Sequence, residues 1–425
     1  MLLAASVCNG GGLRVAAFQA DATPAMGEPL IWVQPVTSVM DPLLAKGIVL
    51  EDGRTRYVML AVDWCGIGGS THLMLRQRIA RAAGTDIRRV AMQVVHQHSA
   101  PYVEGDGYDW MAAKGLKPLR MSAGYLEKLA GNLERAVAGA VAGLQTFDSI
   151  GVGQTAVERV GSARRIWKDG RILVRYSSTA RTPELALEPE GDIDREIRTV
   201  TFAQGTKPLV RMHYYASHPQ TFCCDGRVSA DFVGAARAAM EREDGVAQVY
   251  FTGCGGDVTV GKYNTGLDAE RVALAGRMQA GMRASIAATK FEKAGQIRWR
   301  YADLRLPGKP VPPPGGGERT DQVVYRDAIT EAFARRTRGL PVSSLRLGRV
   351  VIVHLPGEPL LEFQRYAQRI GQGSFVAVAG YGEISPGYLC PDEAFRQGGY
   401  EPGASNGMPG TEGRVKGVIR KVMGR

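Results

Sequence analysis

The sequence has 425 residues, of which 44% are hydrophobic and 22% are charged, and its formal net charge is +11. This balance is typical of a globular protein, and the length allows one large domain or two to three smaller ones. The basic excess would suit an anionic partner. However, no zinc-finger, RNP or basic-zipper pattern occurs, so we expect no nucleic-acid partner.

Membrane and compartment signals are weak. No run of about twenty apolar residues occurs, so we expect no transmembrane helix. Residues 1–8 form a segment that is too short, and lacks the basic start, to be a complete signal peptide. We therefore expect a cytoplasmic location by default, or a secreted or periplasmic one if a leader has been removed. The six cysteines show no C-x-x-C pair, so we expect isolated thiols and a reduced compartment.

Apolar runs and helical stripes alternate along the chain. Strands are predicted near 13–21, 30–33, 57–62, 89–95, 149–154, 171–177, 196–203, 209–216, 247–251 and 349–355. Helices are predicted at 71–84, 125–144, 231–241 and 268–288, from about residue 358, and as a solvated helix at the C-terminus. Residues 307–317 read as a loop, and 380–405 as irregular. The alternation predicts an α/β fold with mixed sheets covered by helices.

Two histidines follow the apolar run at 90–95. Residues 96–101 read HQHSAP, and only six histidines occur in the chain. On an extended strand, residues two apart face the same way at ~7 Å, so His96 and His98 could begin a metal or acid/base site. Two strand-end histidines that bond only to the backbone are an equally good interpretation of this stretch alone.

Two further strand ends supply potential ligands, His218 and Glu358. Rigid strands position functional groups at their loop junctions. Two histidines, a carboxylate and an open position suit catalytic zinc, whose ligands are often distant in sequence. Asp63 also ends a strand, and we predict a turn former there. Asp257, in the turn TGCGGD at 252–257, is predicted to be a cap or turn residue.

The segments around these residues resemble the neutral/alkaline ceramidase family of zinc-dependent amidases. Residues 15–27 (VAAFQADATPAMG) are similar to the family's opening GAAKVDITPPLG, and HQHSAP is similar to its HTHSGP. ASHP at 216–219 and LPGE at 355–358 match AVHP and VPGE. GYL at 387–389, followed by YE at 400–401, matches GYLTT…RYE. The match runs from about residue 13 to 405 and implies a ceramidase N-terminal-domain-like fold.

The resemblance assigns roles to individual residues. It places the zinc ligands on His96, His218, Glu358 and Tyr388. His98 matches the family's acid/base histidine beside the metal, and Tyr400 matches a tyrosine that hydrogen-bonds the developing oxyanion. Arg164 is the nearest equivalent of the family's arginine, with Arg165 as the alternative.

Two departures concern the substrate. Where the family has a serine proposed as nucleophile, this chain has Gly253 followed by Cys254. True ceramidases also continue into a C-terminal immunoglobulin-like domain, so residues 1–425 are expected to form one zinc hydrolase domain without it. Ceramide as the substrate is therefore in question.

The sequence predicts a zinc-dependent hydrolase that uses a metal-activated water, with an amide (N-acyl) bond as the favoured target. The same centre could act on a carbohydrate or ester, and a non-catalytic binding protein that keeps the fold is a third hypothesis. A small-molecule, lipid or glycan substrate is expected, and the basic composition would suit an anionic one.

Overall fold

The computed structural model describes residues 12–116, 120–310 and 320–425, and strands alternate with helices throughout them, which confirms the mixed α/β class. The strands are β1 (Arg14–Asp21), β2 (Ser38–Val39), β3 (Leu44–Glu51), β4 (Arg56–Val62), β5 (Gly66–Gly68), β6 (Val90–Val94), β7 (Tyr102–Glu104), β8 (Gln145–Thr146), β9 (Ser149–Ala156), β10 (Ser162–Ala163), β11 (Arg165–Lys168), β12 (Arg171–Val174), β13 (Glu196–Gln204), β14 (Lys207–Tyr215), β15 (Arg227–Val228), β16 (Ala247–Thr252), β17 (Val258–Thr259), β18 (Lys290–Lys293), β19 (Ile297–Leu304), β20 (Leu340–Leu347), β21 (Val350–His354), β22 (Glu358–Pro359), β23 (Phe375–Ala379) and β24 (Tyr388–Leu389). The helices are α1 (Gly69–Ala83), α2 (Gly105–Ala113), α3 (Ala123–Ala142), α4 (Glu184–Leu187), α5 (Asp231–Asp244), α6 (Asp268–Ala287), α7 (Asp321–Ala334), α8 (Leu361–Ile370), α9 (Asp392–Gln397), α10 (Tyr400–Ala404) and α11 (Thr411–Met423).

Three larger sheets organise the fold. Sheet 1 has the strand order β6-β4-β3-β1-β8, sheet 2 has β16-β14-β13-β9-β18, and sheet 3 has β19-β20-β21-β23. Most neighbours are antiparallel, but one pair at an edge of each sheet is parallel: β4 with β6, β14 with β16, and β21 with β23. Both strands of a parallel pair end at the same edge of their sheet, so their following loops lie together there.

Apolar side chains from all three sheets meet in one core. Met59 of sheet 1, Val200 of sheet 2 and Ile352 of sheet 3 are fully buried members of it. Helices α1 and α3 pack on sheet 1, α5 and α6 on sheet 2, and α8 and α11 against sheet 3. Each buried aliphatic side chain contributes about 1.5–3 kcal/mol, so this shared core couples the three sheets.

Helix ends follow local sequence signals. Helix α1 ends at Gly84, whose φ of 61° is left-handed and whose amide bonds to the Arg81 carbonyl. Helix α3 begins after Ser122, whose hydroxyl accepts a hydrogen bond from the Tyr125 amide at 3.2 Å. In the apolar stripe that predicts α3, Leu129, Leu133 and Val137 are buried, whereas Leu126 and Val141 are half-buried against the same core.

One predicted strand is wrong. Residues 30–33 do not form a strand, because Trp32 and Val33 take left-handed φ values of 59° and 57° in a 3₁₀ turn. The helix predicted from about residue 358 is confirmed as α8, but it begins only at Leu361. Gly357 turns the chain with a φ of 62°, and Glu358 pairs with Tyr388 in a two-strand bridge.

Asp63 is not a simple turn former. Its carboxylate forms two hydrogen bonds with the Arg237 guanidinium, at 2.6 and 2.8 Å, and accepts another from the Leu44 amide at 2.9 Å. All of these groups are buried or nearly so. The charge at the end of β4 is therefore balanced by an arginine of α5, which lay beyond the reach of local sequence patterns.

The chain's last part is more ordered than predicted. Residues 380–405 include β24, α9 and α10. The final helix is confirmed as α11, but its apolar residues are buried against sheet 3 rather than solvated or free to touch a membrane. In the predicted loop at 307–317, residues 311–317 lie outside the described residues. No described helix is long and apolar enough to cross a membrane.

The cysteine prediction also needs correction. Cys223 and Cys224 were predicted to be isolated thiols but are joined by a disulfide. The two residues are adjacent, so the bond does not involve a C-x-x-C motif. Cys65, Cys254 and Cys390 are free and buried, and the remaining cysteine of the sequence lies outside the described residues.

A buried acidic network fixes the loop between β23 and β24. The Ser385 hydroxyl lies 2.6 Å from Glu104 Oε1 and also contacts Glu383 Oε1, while Arg336 pairs with Glu383. A hydroxyl has one hydrogen and cannot donate to two carboxylates at once. Burial, reinforced by Glu383, raises the pKa of Glu104 to about 8, so a protonated Glu104 donates to Ser385 and Ser385 donates to Glu383.

This proton makes folding stability depend on pH. Because the pKa of Glu104 is higher in the folded chain than its ordinary 4.5, its contribution is complete below pH 4.5 and is lost as the pH rises through about 8. We expect Glu104→Gln, which keeps a donor toward Ser385, to flatten the fall in unfolding free energy between pH 5 and 9. The slope removed is at most about 1.4 kcal/mol per pH unit. Urea unfolding at several pH values measures it, and identical slopes in both proteins would contradict the assignment.

Candidate metal centre

Three strand ends, one from each large sheet, meet at the site. His96 follows β6, His218 follows β14, and Glu358 follows β21. Strand β6 ends at Val94, and His96 has a left-handed φ of 72°, so His96 and His98 do not share the face of a strand as predicted. Their rings are instead perpendicular, with centroids 5.0 Å apart. The turn at His96 is what brings both imidazoles to one place.

Backbone carbonyls orient the two inner imidazoles. His96 Nδ1 lies 2.6 Å from the Cys65 carbonyl oxygen, and His218 Nδ1 lies 2.6 Å from the Gly255 carbonyl oxygen. A carbonyl only accepts, so each Nδ1 carries a hydrogen, and Nε2 is the nitrogen left to bind a metal. This arrangement is typical of histidines that bind metals, because it fixes both the tautomer and the ring direction.

The two Nε2 atoms converge on one carboxylate. Glu358 Oε2 lies 3.1 Å from His96 Nε2 and 3.2 Å from His218 Nε2, and the Tyr388 hydroxyl lies 3.3 Å from His218 Nε2. The buried His96 Nε2 has no hydrogen bond to any described residue. His96 Nε2, His218 Nε2 and Glu358 Oε2 therefore face one another as potential ligands. A cation bound between them would contact all three. Two imidazoles, one carboxylate and a phenol suit a metal of the zinc type.

Electrostatics give His218 and Glu358 the charge states that a metal needs, whereas His96 holds a proton that a metal would replace. Burial opposes the charge on His96, but Cys65 and Glu358 outweigh it and raise its pKa to about 10. Burial, reinforced by Arg164, lowers the pKa of His218 to about 3. Burial opposes the charge on Glu358, but His96 and His218 outweigh it and hold its pKa well below the usual value. A neutral His218 and an ionised Glu358 are both good ligands for a divalent cation.

Arg164, rather than Arg165, lies beside the centre. Its Nη1 donates to the Tyr388 hydroxyl at 2.8 Å, and its guanidinium carbon is 5.6 and 5.5 Å from the ring centroids of Tyr388 and Tyr400. Arg165 turns away and donates to Glu401 Oε2 at 2.8 Å. A cation therefore sits within reach of both tyrosines.

His98 is the least constrained imidazole. Its ring centroid is 5.9 Å from that of His218, and neither of its nitrogens hydrogen-bonds to a described residue. Burial, with His96 and His218 adding to it, lowers its pKa well below the ordinary value. A neutral imidazole with two free nitrogens is suited to accepting and releasing a proton.

A cleft of about 590 Å³ opens over the centre. His218 and Arg164 lie behind its wall, whereas the other predicted site residues line it together with residues from several loops. The described lining residues are Ile31, Trp32, His96, His98, Tyr102, Lys309, Gln322, Arg326, Ile329, Thr330, Glu358, Gly387, Tyr388, Gly399, Tyr400, Gly403, Ala404 and Asn406. A cleft of this size accommodates a small-molecule ligand.

The glycine run at 253–256 is explained by close packing. A Cβ on Gly255 would lie 2.8 Å from the Ser217 amide nitrogen, and one on Gly256 would lie 2.7 Å from the Glu358 carbonyl oxygen. A Cβ on Gly253 would lie 2.5 Å from Gln364 Oε1. The turn therefore packs directly on both ligand segments, and side chains would push them apart.

Neither position 253 nor position 254 supplies a nucleophile. Gly253 has no hydroxyl, and Cys254 is buried in the core of sheet 3, where burial raises the pKa of its thiol well above the usual value. The carboxylate of Asp257 accepts a hydrogen bond from the Leu361 amide at 2.8 Å, so it caps the start of α8 as predicted.

Sequence patterns missed several neighbours of the centre. Tyr381 stacks on His96 with centroids 4.4 Å apart, and its hydroxyl is 3.4 Å from His218 Nδ1. The carbonyls of Cys65 and Gly255 act through the backbone, which leaves no signal in the residue type. Trp32 reaches the cleft because of a left-handed turn that was predicted to be a strand.

No protein-family model and no curated protein matches this sequence.

Solved structures match it in fold. A ceramidase complexed with C2 aligns over 96% of this chain and 74% of its own, with a TM-score of 0.74 and 15% identity. The neutral ceramidase from Pseudomonas aeruginosa aligns over 96% of this chain and 73% of its own, with a TM-score of 0.73 and 17% identity. At these identities the likeness establishes the architecture: the chain has a ceramidase-like α/β fold.

Proposed function

We propose that this protein is a zinc-dependent amidase, a divergent relative of the ceramidases, with His96, His218, Glu358 and Tyr388 as the zinc ligands. The observation that carries the proposal is the pair of backbone-oriented imidazoles whose Nε2 atoms both face Glu358 Oε2, at 3.1 and 3.2 Å. The three sheets that build this centre share one core, which supports a single catalytic domain.

The surrounding residues fit the hydrolysis of an acyl bond. Zinc held here would lower the pKa of water and polarise the substrate carbonyl. His98 would take a proton from the attacking water and give it to the departing amine. Burial raises the pKa of Tyr400 although Arg164 opposes it, so its hydroxyl stays protonated and can donate to the developing oxyanion. Arg164 adds a fixed positive charge behind Tyr388.

Two observations favour an amide attacked directly by water. The fold is that of proteins named ceramidases, which supports an amide bond over a glycosidic bond or an ester. The glycine at 253 and the core-facing thiol at 254 offer no side chain that could form an acyl-enzyme intermediate. We therefore assign the attack to water activated at the centre.

The metal assignment predicts that zinc and activity are lost together. His96→Ala or Glu358→Ala removes one of three converging acceptors, and we expect zinc affinity to fall by at least about 100-fold, since even indirect contacts to metal ligands are worth 10–100-fold. Elemental analysis and turnover of N-acyl amides measure both effects. His72→Asn, which removes a buried imidazole of α1 away from the site, should keep the metal. Stoichiometric zinc with full turnover in either ligand variant would refute the proposal.

A variant of His98 distinguishes a role in proton transfer from a role in metal binding. We expect His98→Gln to retain zinc and to lower kcat by about 10²- to 10⁴-fold, the usual range for a lost general acid–base group, with a much smaller change in KM. Zinc content and steady-state kinetics check this. Loss of zinc in His98→Gln would instead make His98 a ligand, and an unchanged kcat would exclude it from proton transfer.

A further inference from the structure

We propose that Lys309 and Arg326 bind an anionic group of the substrate, such as a carboxylate, phosphate or sulfate. This inference rests on the proposed function and narrows the class of amide that the cleft would accept. Both side chains line the same cleft as the metal centre.

The two cations have no acidic partner among the described residues. Lys309 Nζ hydrogen-bonds only to the Gly403 carbonyl, at 3.1 Å, and the Arg326 guanidinium donates no hydrogen bond to any part of the chain described. Glu358 is the one carboxylate in the described lining of the cleft, and it faces the two imidazoles. An anion that enters the cleft therefore meets unneutralised positive charge.

The two cations also act on each other. Burial, reinforced by the charge of Arg326, lowers the pKa of Lys309. Lys309 is half-buried and Arg326 is exposed, and two like charges that line one cleft are unfavourable until an anion lies between them. A bound anion would gain charge-assisted hydrogen bonds from both side chains.

An aromatic wall connects this charged end with the metal centre. The guanidinium carbon of Arg326 lies 5.9 Å from the ring centroid of Trp32, and Trp32 stacks on Tyr102 with centroids 6.4 Å apart. Tyr102 in turn lines the cleft with Glu358, and Ile31 and Ile329 add apolar surface. The cleft thus offers apolar contacts and a cationic pair together, which suits an amphipathic acyl amide with an acidic group.

Matched ligands test the charge directly. N-lauroylglycine and N-lauroylethanolamine differ by a carboxylate in place of a hydroxymethyl group. By calorimetry on the zinc-loaded protein, we expect the glycine amide to bind at least about tenfold more tightly, the size of one charge-assisted hydrogen bond. We expect Lys309→Met with Arg326→Met to remove that preference. Arg54→Met, in the exposed turn between β3 and β4, removes a cation elsewhere and should keep it.

The outcomes separate this inference from the proposed function. Equal dissociation constants in the wild-type protein, no binding of the glycine amide, or an undiminished preference in the double variant would each overturn it. Hydrolysis is measured separately. A protein that prefers the glycine amide but never cleaves it would refute the proposed amidase and leave the anion site standing.

A second inference comes from four arginines that share one cavity. Arg298, Arg300, Arg346 and Arg425 line a cavity of about 280 Å³ between β19, β20 and the end of α11. Arg298 lies directly opposite Arg346 in the β19–β20 ladder, and like charges in that position are destabilising. Burial and then the other three arginines lower the pKa of Arg346. None of the four side chains pairs with a described carboxylate.

We infer that this arginine cavity binds a multiply charged phosphate group. Its described lining contains no acidic residue, and guanidinium groups match phosphate oxygens in geometry. The ligand could be a soluble phosphate or a phospholipid headgroup, which share this chemistry.

Thermal unfolding at low ionic strength tests the arginine cavity. We expect pyrophosphate to raise Tm by about 2 °C or more beyond sodium chloride of equal ionic strength. We expect Arg346→Gln to raise Tm without ligand, because repulsion is relieved, and to lose the pyrophosphate effect; Arg54→Gln serves as control. Sedimentation with phosphatidylglycerol vesicles distinguishes a lipid headgroup from a soluble phosphate. A lower Tm in Arg346→Gln with the pyrophosphate effect intact would overturn the inference.

Discussion

The site depends on two short hydrogen bonds from imidazoles to backbone carbonyls. His96 Nδ1 donates to the Cys65 carbonyl and His218 Nδ1 donates to the Gly255 carbonyl, both at 2.6 Å, which fixes the direction of each ring. Both Nε2 atoms therefore face Glu358. In this orientation His96 Nε2 forms no hydrogen bond with a described residue and lies 3.1 Å from Glu358 Oε2, as two ligands of one cation would.

The fold supplies those carbonyls by ending parallel strand pairs at one place. Sheets 1, 2 and 3 each contribute a parallel edge pair, and the loops after these strands carry the ligands and their orienting groups. The glycines at 255 and 256 let the turn after β16 pack against both the His218 and Glu358 segments. On the far side, the Glu104–Ser385–Glu383 network holds the loop that leads to Tyr388. The centre is thus built from backbone positions as much as from side chains.

This dependence on the backbone explains what the sequence could and could not predict. Strands such as β4 and β6 and helices such as α1 and α3 follow from apolar periodicity, because local patterns fix them. The coming together of His96, His218 and Glu358 was anticipated from motif resemblance and strand ends. His96 and His98 do not share the face of a strand as predicted, because His96 is left-handed and its residue type gives no sign of that. Long-range pairs such as Asp63–Arg237, and the cations Lys309 and Arg326, leave no local pattern.

Positively charged side chains line the cleft over the candidate metal centre. The described wall of the cleft holds cations without carboxylate partners, while its one acid faces the candidate metal position. Anomalous X-ray diffraction at the zinc edge, on crystals grown with zinc, tests the proposed metal centre most directly. We expect one strong peak bonded to His96 Nε2, His218 Nε2, Glu358 and Tyr388. A peak elsewhere, or none at this position in zinc-saturated crystals, would contradict it.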